Sequence, residues 1–362
     1  MSTKGIAYLP DIVAALPSSE RELFHRLFHV SATLGRLNPP PSMHPWIEEH
    51  SGSLEAVLTQ QIIKVTNLVT WEGALFNEIR SQRPMEATIK ADLREAIIES
   101  EGDPFCHPME GTPEDSFGRV KGSYSITASN IAKYDGFHGL VIFDQHDPLH
   151  FSQEEVSDYI DTALAWAQKA NREDPEAKYL FFMWNCLWKA GASIIHGHAQ
   201  MTLSREMHYA KIERLRRAAL DYRATYGGNY FDDLYRVHAS LGLAFTRKGT
   251  RVIAYLTPVK EKEILLLSQK LDNDLKEAVF GVLRPYVESL GVSTFNLAFI
   301  MPPLAPAKED WAGFPVMVRL LDRGDPLNRT ADIGAMELYA ASVISSDPFQ
   351  LAPTLGPPFQ AP

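Results

Sequence analysis

Residues 185–200, Asn-Cys-Leu-Trp-Lys-Ala-Gly-Ala-Ser-Ile-Ile-His-Gly-His-Ala-Gln, close an apolar, strand-like run from Tyr179 to Trp184. They set His196 and His198 at i and i+2, with Gln200 one step further. In an extended segment, side chains two apart share a face. Three polar side chains on one face, after a Gly-Ala-Ser turn, do not suit a core and do suit a phosphate or metal site. A neutral imidazole is a competent nucleophile towards phosphorus, provided that one ring nitrogen is held as N–H and the other is left bare. A carbonyl on the neighbouring strand residue can hold that N–H, and Gln200 or Ser193 can donate to a phosphoryl oxygen as charge develops. The second reading of His-x-His is a zinc half-site needing two further ligands.

Outward from this stretch, the hydrophobic pattern predicts helices and short strands in alternation. Residues 1–66 read as a helical extension, with Leu23, Phe24, Leu27 and Phe28 at helical spacing and a second helix over Leu54 to Val65, separated by Pro39-Pro40-Pro41. Strands follow at Leu68 to Phe76, Tyr124 to Ala128 and Gly139 to Phe143. The Ser152–Glu155 capping box opens an amphipathic helix to about Ala170, which leads into Tyr179 to Trp184. A charged helix over Arg205 to Thr225 ends at Gly227-Gly228, taken as the domain boundary.

The series then repeats. Strands are expected at Leu241 to Thr246, Val252 to Leu256 and Glu263 to Leu267, a helix over Leu271 to Tyr286, and strands at Phe295 to Ile300 and Pro315 to Leu321. A final helix over Asp332 to Val343 precedes a Pro-rich tail. The expected fold is α+β, with two tandem half-domains (67–226 and 227–350), each an antiparallel sheet with packed helices, after the extension (1–66) and before a tail (351–362).

Composition excludes several functions. The 362 residues are 45% hydrophobic and carry a formal charge of −10, so no general electrostatic grip on nucleic acid is expected and an anionic ligand must be held by a local cluster. Two cysteines, Cys106 and Cys186, with no C-x-x-C pair, argue against a disulfide framework and a thiolate-rich zinc site. No basic-then-apolar leader and no apolar run of about 18 residues occurs. A cytoplasmic protein without a membrane partner is therefore expected.

Asn185, Gly191, Ser193, His196, His198 and Gln200 together resemble the active-site pattern of the galactose-1-phosphate uridylyltransferase family. This is the His-x-His-x-Gln branch of the histidine-triad superfamily, which also contains diadenosine polyphosphate phosphorylases and ADP-sugar phosphorylases. The resemblance implies histidine-triad-like halves. It also implies that His198 is the nucleophile forming a nucleotidyl-histidine, that His196 orients it, that Gln200 contacts the α-phosphate, and that Asn185 and Ser193 contact phosphoryl groups. Glutamine in place of a third histidine favours transfer over hydrolysis.

Thr70 to Pro84 is similar to the family's N-terminal strand, whose Arg-x-x-Arg-Pro ending makes Arg80 and Arg83 cations for a diphosphate. Ser129 to Tyr134, followed by His138-Gly139-Leu140, resembles the segment that contacts the nucleotide, which implies roles for Asn130 and Lys133. His150 falls near the position of a zinc-ligating histidine in metal-bearing members, but the cysteine pair is missing. Val316 to Leu320 lacks the His-x-His of the second metal strand, and Arg319 and Arg323 then either face an anionic acceptor or are simply solvated. Gly334-Ala335-Met336-Glu337 resembles the family's Gly-x-Glu, shifted by one position.

The expected activity is nucleotidyl transfer or phosphorolysis through a covalent nucleotidyl-histidine. The donor is a dinucleoside polyphosphate or nucleotide sugar, and the acceptor is phosphate or a sugar phosphate. No cofactor is required, and zinc is the less favoured alternative. A hexose-1-phosphate uridylyltransferase proper, a nucleotide hydrolase and a non-catalytic nucleotide-binding protein are the competing readings. The resemblance also allows a homodimer, with the extension as interface or lid.

Overall fold

The computed structural model describes residues 5–77, 79–80, 92–328, 330 and 333–356. Its strands, in chain order, are β1 (Phe28–Arg36), β2 (Thr59–Asn67), β3 (Gly73–Phe76), β4 (Ser125–Ser129), β5 (Phe137–Phe143), β6 (Ala177–Asn185) and β7 (His198–Arg205). They continue with β8 (Ala244–Arg247), β9 (Thr250–Ala254), β10 (Ile264–Ser268), β11 (Phe295–Ile300), β12 (Val316–Asp322) and β13 (Ser342–Ile344).

Nine strands form one antiparallel sheet in the order β4-β5-β7-β6-β11-β12-β10-β9-β8. That order carries the tandem arrangement expected from the sequence. The first half has two strands, a long helix (Gln153–Glu173) and two further strands; the second has three strands, a long helix (Asn273–Glu288) and two further strands. In each, the last strand pairs back against the strand before the helix. The halves join through β6 and β11, which pair antiparallel with Asn185 opposite Asn296 and Met183 opposite Ala298.

The two long helices cover one face of the sheet. Leu180, Phe182 and Trp184 on β6, and Leu297 and Phe299 on β11, are buried in the main core, while Phe181, Met183, Asn185, Asn296 and Ala298 between them are only part-buried. This is the period-2 alternation of a half-covered sheet. The expected capping box forms: Glu155 N–H donates to Ser152 Oγ (3.2 Å) and Ser152 N–H to the Glu155 carboxylate (2.6 Å). Gly139 is required where the helix crosses β5, because a Cβ there would lie 2.7 Å from the Trp166 ring.

The extension mixes helices (Leu9–Ala14, Ser18–Leu27, His44–Ser51, Leu54–Leu58) with strands. The helix expected over Leu54 to Val65 stops at Leu58, and Thr59–Asn67 is β2, paired with β1 along its length. Ile63 and Val65 are buried while Lys64 between them is exposed, an alternation that a β-branched run favours over a helix. A second, four-stranded sheet results, β1-β2-β3-β13, with β13 parallel to β3. Over the expected last helix, only Ala335–Tyr339 is helical before the chain enters β13, and the expected tail begins within a helix, Pro348–Leu355.

The four-stranded sheet docks on the second half through buried polar groups. Arg319 on β12 donates to Glu263 (2.6 Å) and to Glu72 (2.8 Å), and Tyr255 Oη donates to Glu72 (2.7 Å). Asn67 Nδ2 reaches Tyr230 Oη (2.8 Å) and Tyr255 Oη (3.1 Å). Burial pushes the Glu72 carboxyl up, but the Arg319 charge together with hydrogen bonds from Arg319, Tyr255 and Thr70 outweighs it and holds the group below its ordinary value. Glu263, with no exposed side-chain surface, ends above its ordinary value because burial outweighs the same guanidinium. Arg319 is thus committed to internal carboxylates, which corrects the expectation that it faces an acceptor. No helix among the described residues is long and apolar enough to cross a membrane.

Candidate active site

The loop before β7 turns at Leu187 and Gly191, both with positive φ (65° and 99°), and delivers His196 and His198 to the sheet. Gly197 between them cannot be replaced without movement: a Cβ would lie 2.7 Å from the Phe143 ring and 2.9 Å from the Gln145 carbonyl. Its N–H donates to the His146 carbonyl (3.0 Å).

His198 opens β7 and is 5% exposed. Its Nδ1 donates to the His196 carbonyl at 2.8 Å. The other nitrogen, Nε2, is thereby the bare one. Burial lowers the His198 pKa, against the opposing effect of that hydrogen bond, so the ring is neutral at physiological pH. The Phe105 ring stands edge-on to it, centroids 5.1 Å apart.

His196 faces a different set of partners. Its Nε2 lies 2.8 Å from the Phe143 carbonyl, and its Nδ1 lies 3.1 Å from His146 Nδ1, 3.4 Å from Cys106 Sγ and 3.9 Å from Asp103 Oδ1. His146 Nε2 is similarly placed 2.9 Å from the Ile97 carbonyl, and its Nδ1 is 3.4 Å from the same sulfur. Both rings spend their N–H on backbone carbonyls, so two Nδ1 lone pairs, a sulfur and a carboxylate converge within 4.8 Å of one another. Asp103 Oδ2 is buried with no partner. The single Cys106 S–H can serve only one of the two facing Nδ1 lone pairs, and a cation relieves the repulsion that remains. An N₂SO set of this kind fits zinc.

Of the two readings of His-x-His, this cluster belongs to the zinc one, and His196 is the member of the pair that takes part in it. Asp103, Cys106 and His146 supply the further ligands that His196 lacked as a half-site, and His150 is not among them. The available signal was the Asp103-x-x-Cys106 spacing, that of a C-x-x-C pair with one thiolate replaced.

Gln200 is part-buried on the uncovered face, opposite Leu140 of β5 and Met183 of β6. Its Oε1 lies 2.9 Å from His138 Nε2 and accepts from Tyr134 Oη at 3.2 Å. Asn130 lies beside this group: its Nδ2 is 3.2 Å from His138 Nε2, and its Oδ1 accepts the Ala132 N–H at 2.9 Å. Lys133 is held internally by Ser129 Oγ (2.6 Å), the His138 carbonyl (3.1 Å) and Asp115 (3.4 Å).

Asn185 Oδ1 accepts from Asn296 Nδ2 across the seam (2.7 Å), and Arg323 Nη1 donates to Asn296 Oδ1 (2.8 Å). Ser193 is exposed in the loop before β7. Arg80 is exposed just past β3, its backbone N–H on the Asn77 carbonyl (3.1 Å), and Arg83 lies outside the described residues. Glu337 accepts the Gly334 N–H (2.8 Å), a local cap. The structure therefore gathers His196, His198, Gln200, Asn130 and Lys133 around β5 and β7, with Asn185 on adjacent β6. His138, Tyr134, Asn296 and the Asp103–His146 pair were not singled out from the sequence.

No protein-family model matches the chain, and no curated protein matches its sequence. Solved structures match in fold. An ADP-glucose phosphorylase from Arabidopsis thaliana with bound ADP-glucose superposes with a TM-score of 0.60 at 15% identity, covering 80% of this chain and 97% of that one. A GalT-like protein from the same plant gives 0.59 at 15% identity (82% and 99% covered), and a uridylyltransferase gives 0.56 at 13% identity (80% and 96% covered). The fold expected from the resemblance is the fold observed.

Proposed function

We propose that this chain is a nucleotidyltransferase working through a covalent nucleotidyl-histidine at His198, on a nucleotide-sugar or dinucleoside polyphosphate donor, with phosphate or a sugar phosphate as acceptor. The observation that carries the reading is the His198 Nδ1–H bond to the His196 carbonyl, which leaves Nε2 as a lone pair on a neutral, buried ring. That lone pair attacks the α-phosphorus. The bond from phosphorus to the leaving phosphate oxygen breaks as the P–N bond forms, and the His196 carbonyl stabilises the imidazolium through Nδ1–H. The Gln200 amide donates to a non-bridging oxygen. An acceptor oxygen then attacks phosphorus, the P–N bond breaks, and His198 is restored. The shared fold with an ADP-glucose phosphorylase supports phosphorolysis of a nucleotide sugar.

Asp103, Cys106, His146 and His196 are the residues that would hold zinc. Bound there, the ion would supply rigidity: it would fix His196, whose carbonyl sets the His198 tautomer. The His-x-His-x-Gln stretch argues for transfer over hydrolysis, since Gln200 replaces a third histidine.

The test is intact-mass spectrometry of the protein mixed separately with ADP-glucose, UDP-glucose and diadenosine tetraphosphate. One donor is expected to add one AMP or UMP, and phosphate or a sugar phosphate to discharge it. His198→Gly is expected to abolish the adduct while retaining nucleotide binding. An adduct surviving in that variant, or none with any donor, sinks the covalent reading for these donors.

A further inference from the structure

We propose that His138 is a positioning residue for Gln200, fixing the side-chain amide so that its NH₂ end, and not its oxygen, faces the α-phosphate. The inference rests on the proposed transferase reading and adds a residue to it. A glutamine at a phosphate site is useful in only one of its two amide orientations, because the carbonyl oxygen would repel the phosphoryl oxygens. Something must choose between them.

In this structure two groups converge on Gln200 Oε1: His138 Nε2 at 2.9 Å and Tyr134 Oη at 3.2 Å. With both donating, the oxygen is occupied and the NH₂ is the end left for a ligand. His138 is suited to this task by its own surroundings. It is 0% exposed, beneath the Tyr134 ring (centroids 3.9 Å), and burial keeps it neutral with a single N–H.

His138 Nδ1 is buried with no partner. Placing the proton on Nε2 leaves a bare lone pair at Nδ1. The other tautomer would bury an unpartnered N–H there and turn a lone pair towards Gln200 Oε1. An orphaned N–H is the rarer defect in folded proteins. Asn130 Nδ2 is itself a donor facing the same Nε2 nitrogen at 3.2 Å; that contact favours the other tautomer, and it is longer than the 2.9 Å one to Gln200 Oε1. The Lys133 ammonium on the His138 carbonyl (3.1 Å) anchors the backbone from the other side.

Two measurements test this. The first is a double-mutant cycle on the single-turnover rate of His198 charging by ADP-glucose, UDP-glucose or diadenosine tetraphosphate, whichever forms the adduct. Gln200→Met is expected to slow charging about 100-fold and His138→Phe about tenfold. The double variant is expected to be no slower than Gln200→Met alone, because His138 acts through Gln200. His138→Gln, which returns an N–H near the Nε2 position, is expected to recover most of the rate. Independent effects that multiply in the double variant would overturn the proposal.

The second measurement is nitrogen NMR of the unsubstituted protein labelled with ¹⁵N-histidine. It is expected to show His138 protonated at Nε2 and bare at Nδ1, and the opposite tautomer would overturn the proposal even if His138→Phe fails to fold. A protein that no donor charges, but that shows the expected tautomer, would refute the transferase reading and leave the orientation of Gln200 standing.

Discussion

His238 gives the structure a measurable acid sensitivity. The ring is 0% exposed, with Nδ1 donating to the Leu234 carbonyl (2.8 Å) and Nε2 accepting the Leu256 N–H (3.2 Å). A second ring proton would be forced against that N–H. Burial is the largest cause that pulls its pKa from 6.5 to about 4. The folded value lies below the unfolded one, so the unfolded chain takes up the proton first. The stability in question is therefore present above about pH 6.5, drains as pH falls, and is fully lost only below about pH 4.

The full difference is worth about 3 kcal/mol, of which about 2 kcal/mol is lost between pH 7 and pH 5. His208, 1% exposed and likewise pulled down to about 4 by burial, contributes a similar share. Urea unfolding at pH 7 and pH 5 measures the effect. His238→Gln and His208→Gln are each expected to lose about 2 kcal/mol less than the parent between the two pH values, whatever their absolute stability. A variant that loses as much as the parent would refute the assignment of that histidine.

Two further predictions concern the polar clusters. The purified protein is expected to carry about one zinc per chain, released by Cys106→Ser or His146→Ala and measured by a colorimetric chelator after unfolding; metal retained at the parent level in both variants would contradict the cluster. Arg319→Met is expected to cost about 3–5 kcal/mol in a denaturant titration, because it strands buried Glu72 and Glu263. Replacing both acids by leucine in the same chain is expected to recover most of that loss, and a cost below about 1 kcal/mol for Arg319→Met alone would show that the three charges are solvated.

Local patterns were legible where the side chains that decide an element sit within a few residues of it. The Ser152–Glu155 box named its helix, and the His-Gly-His-Ala-Gln run named its strand end. Lys64 between Ile63 and Val65 was equally local, but the apolar residues around it also fit a helical spacing, and only pairing with β1 settles the segment as a strand. The helix Tyr230–Leu241 escaped because Gly227-Gly228 drew attention to a boundary, although Asn229 caps it and Phe231, Leu234, Val237 and Leu241 bury one side.

Long-range sets were not legible. The Asp103–Cys106 pair, His146 and His196 come from three segments at least 40 residues apart, and the pair's spacing does not say which histidines it will meet. His138 reads as an ordinary strand residue until folding brings it to Gln200. Arg319 reads as a free cation until the turn between β2 and β3 sets Glu72 against it.

The seam between β6 and β11 has a practical consequence. On the proposed reading charging takes place at His198 in the first half, and the last strand of the second half, Val316 to Leu320, carries no histidine. Asn185, on the strand beside that of His198, is held by Asn296 from the other half. A burst of released product would therefore count molecules whose two halves have joined, and its amplitude per chain would serve as an active-site titration of correctly assembled protein.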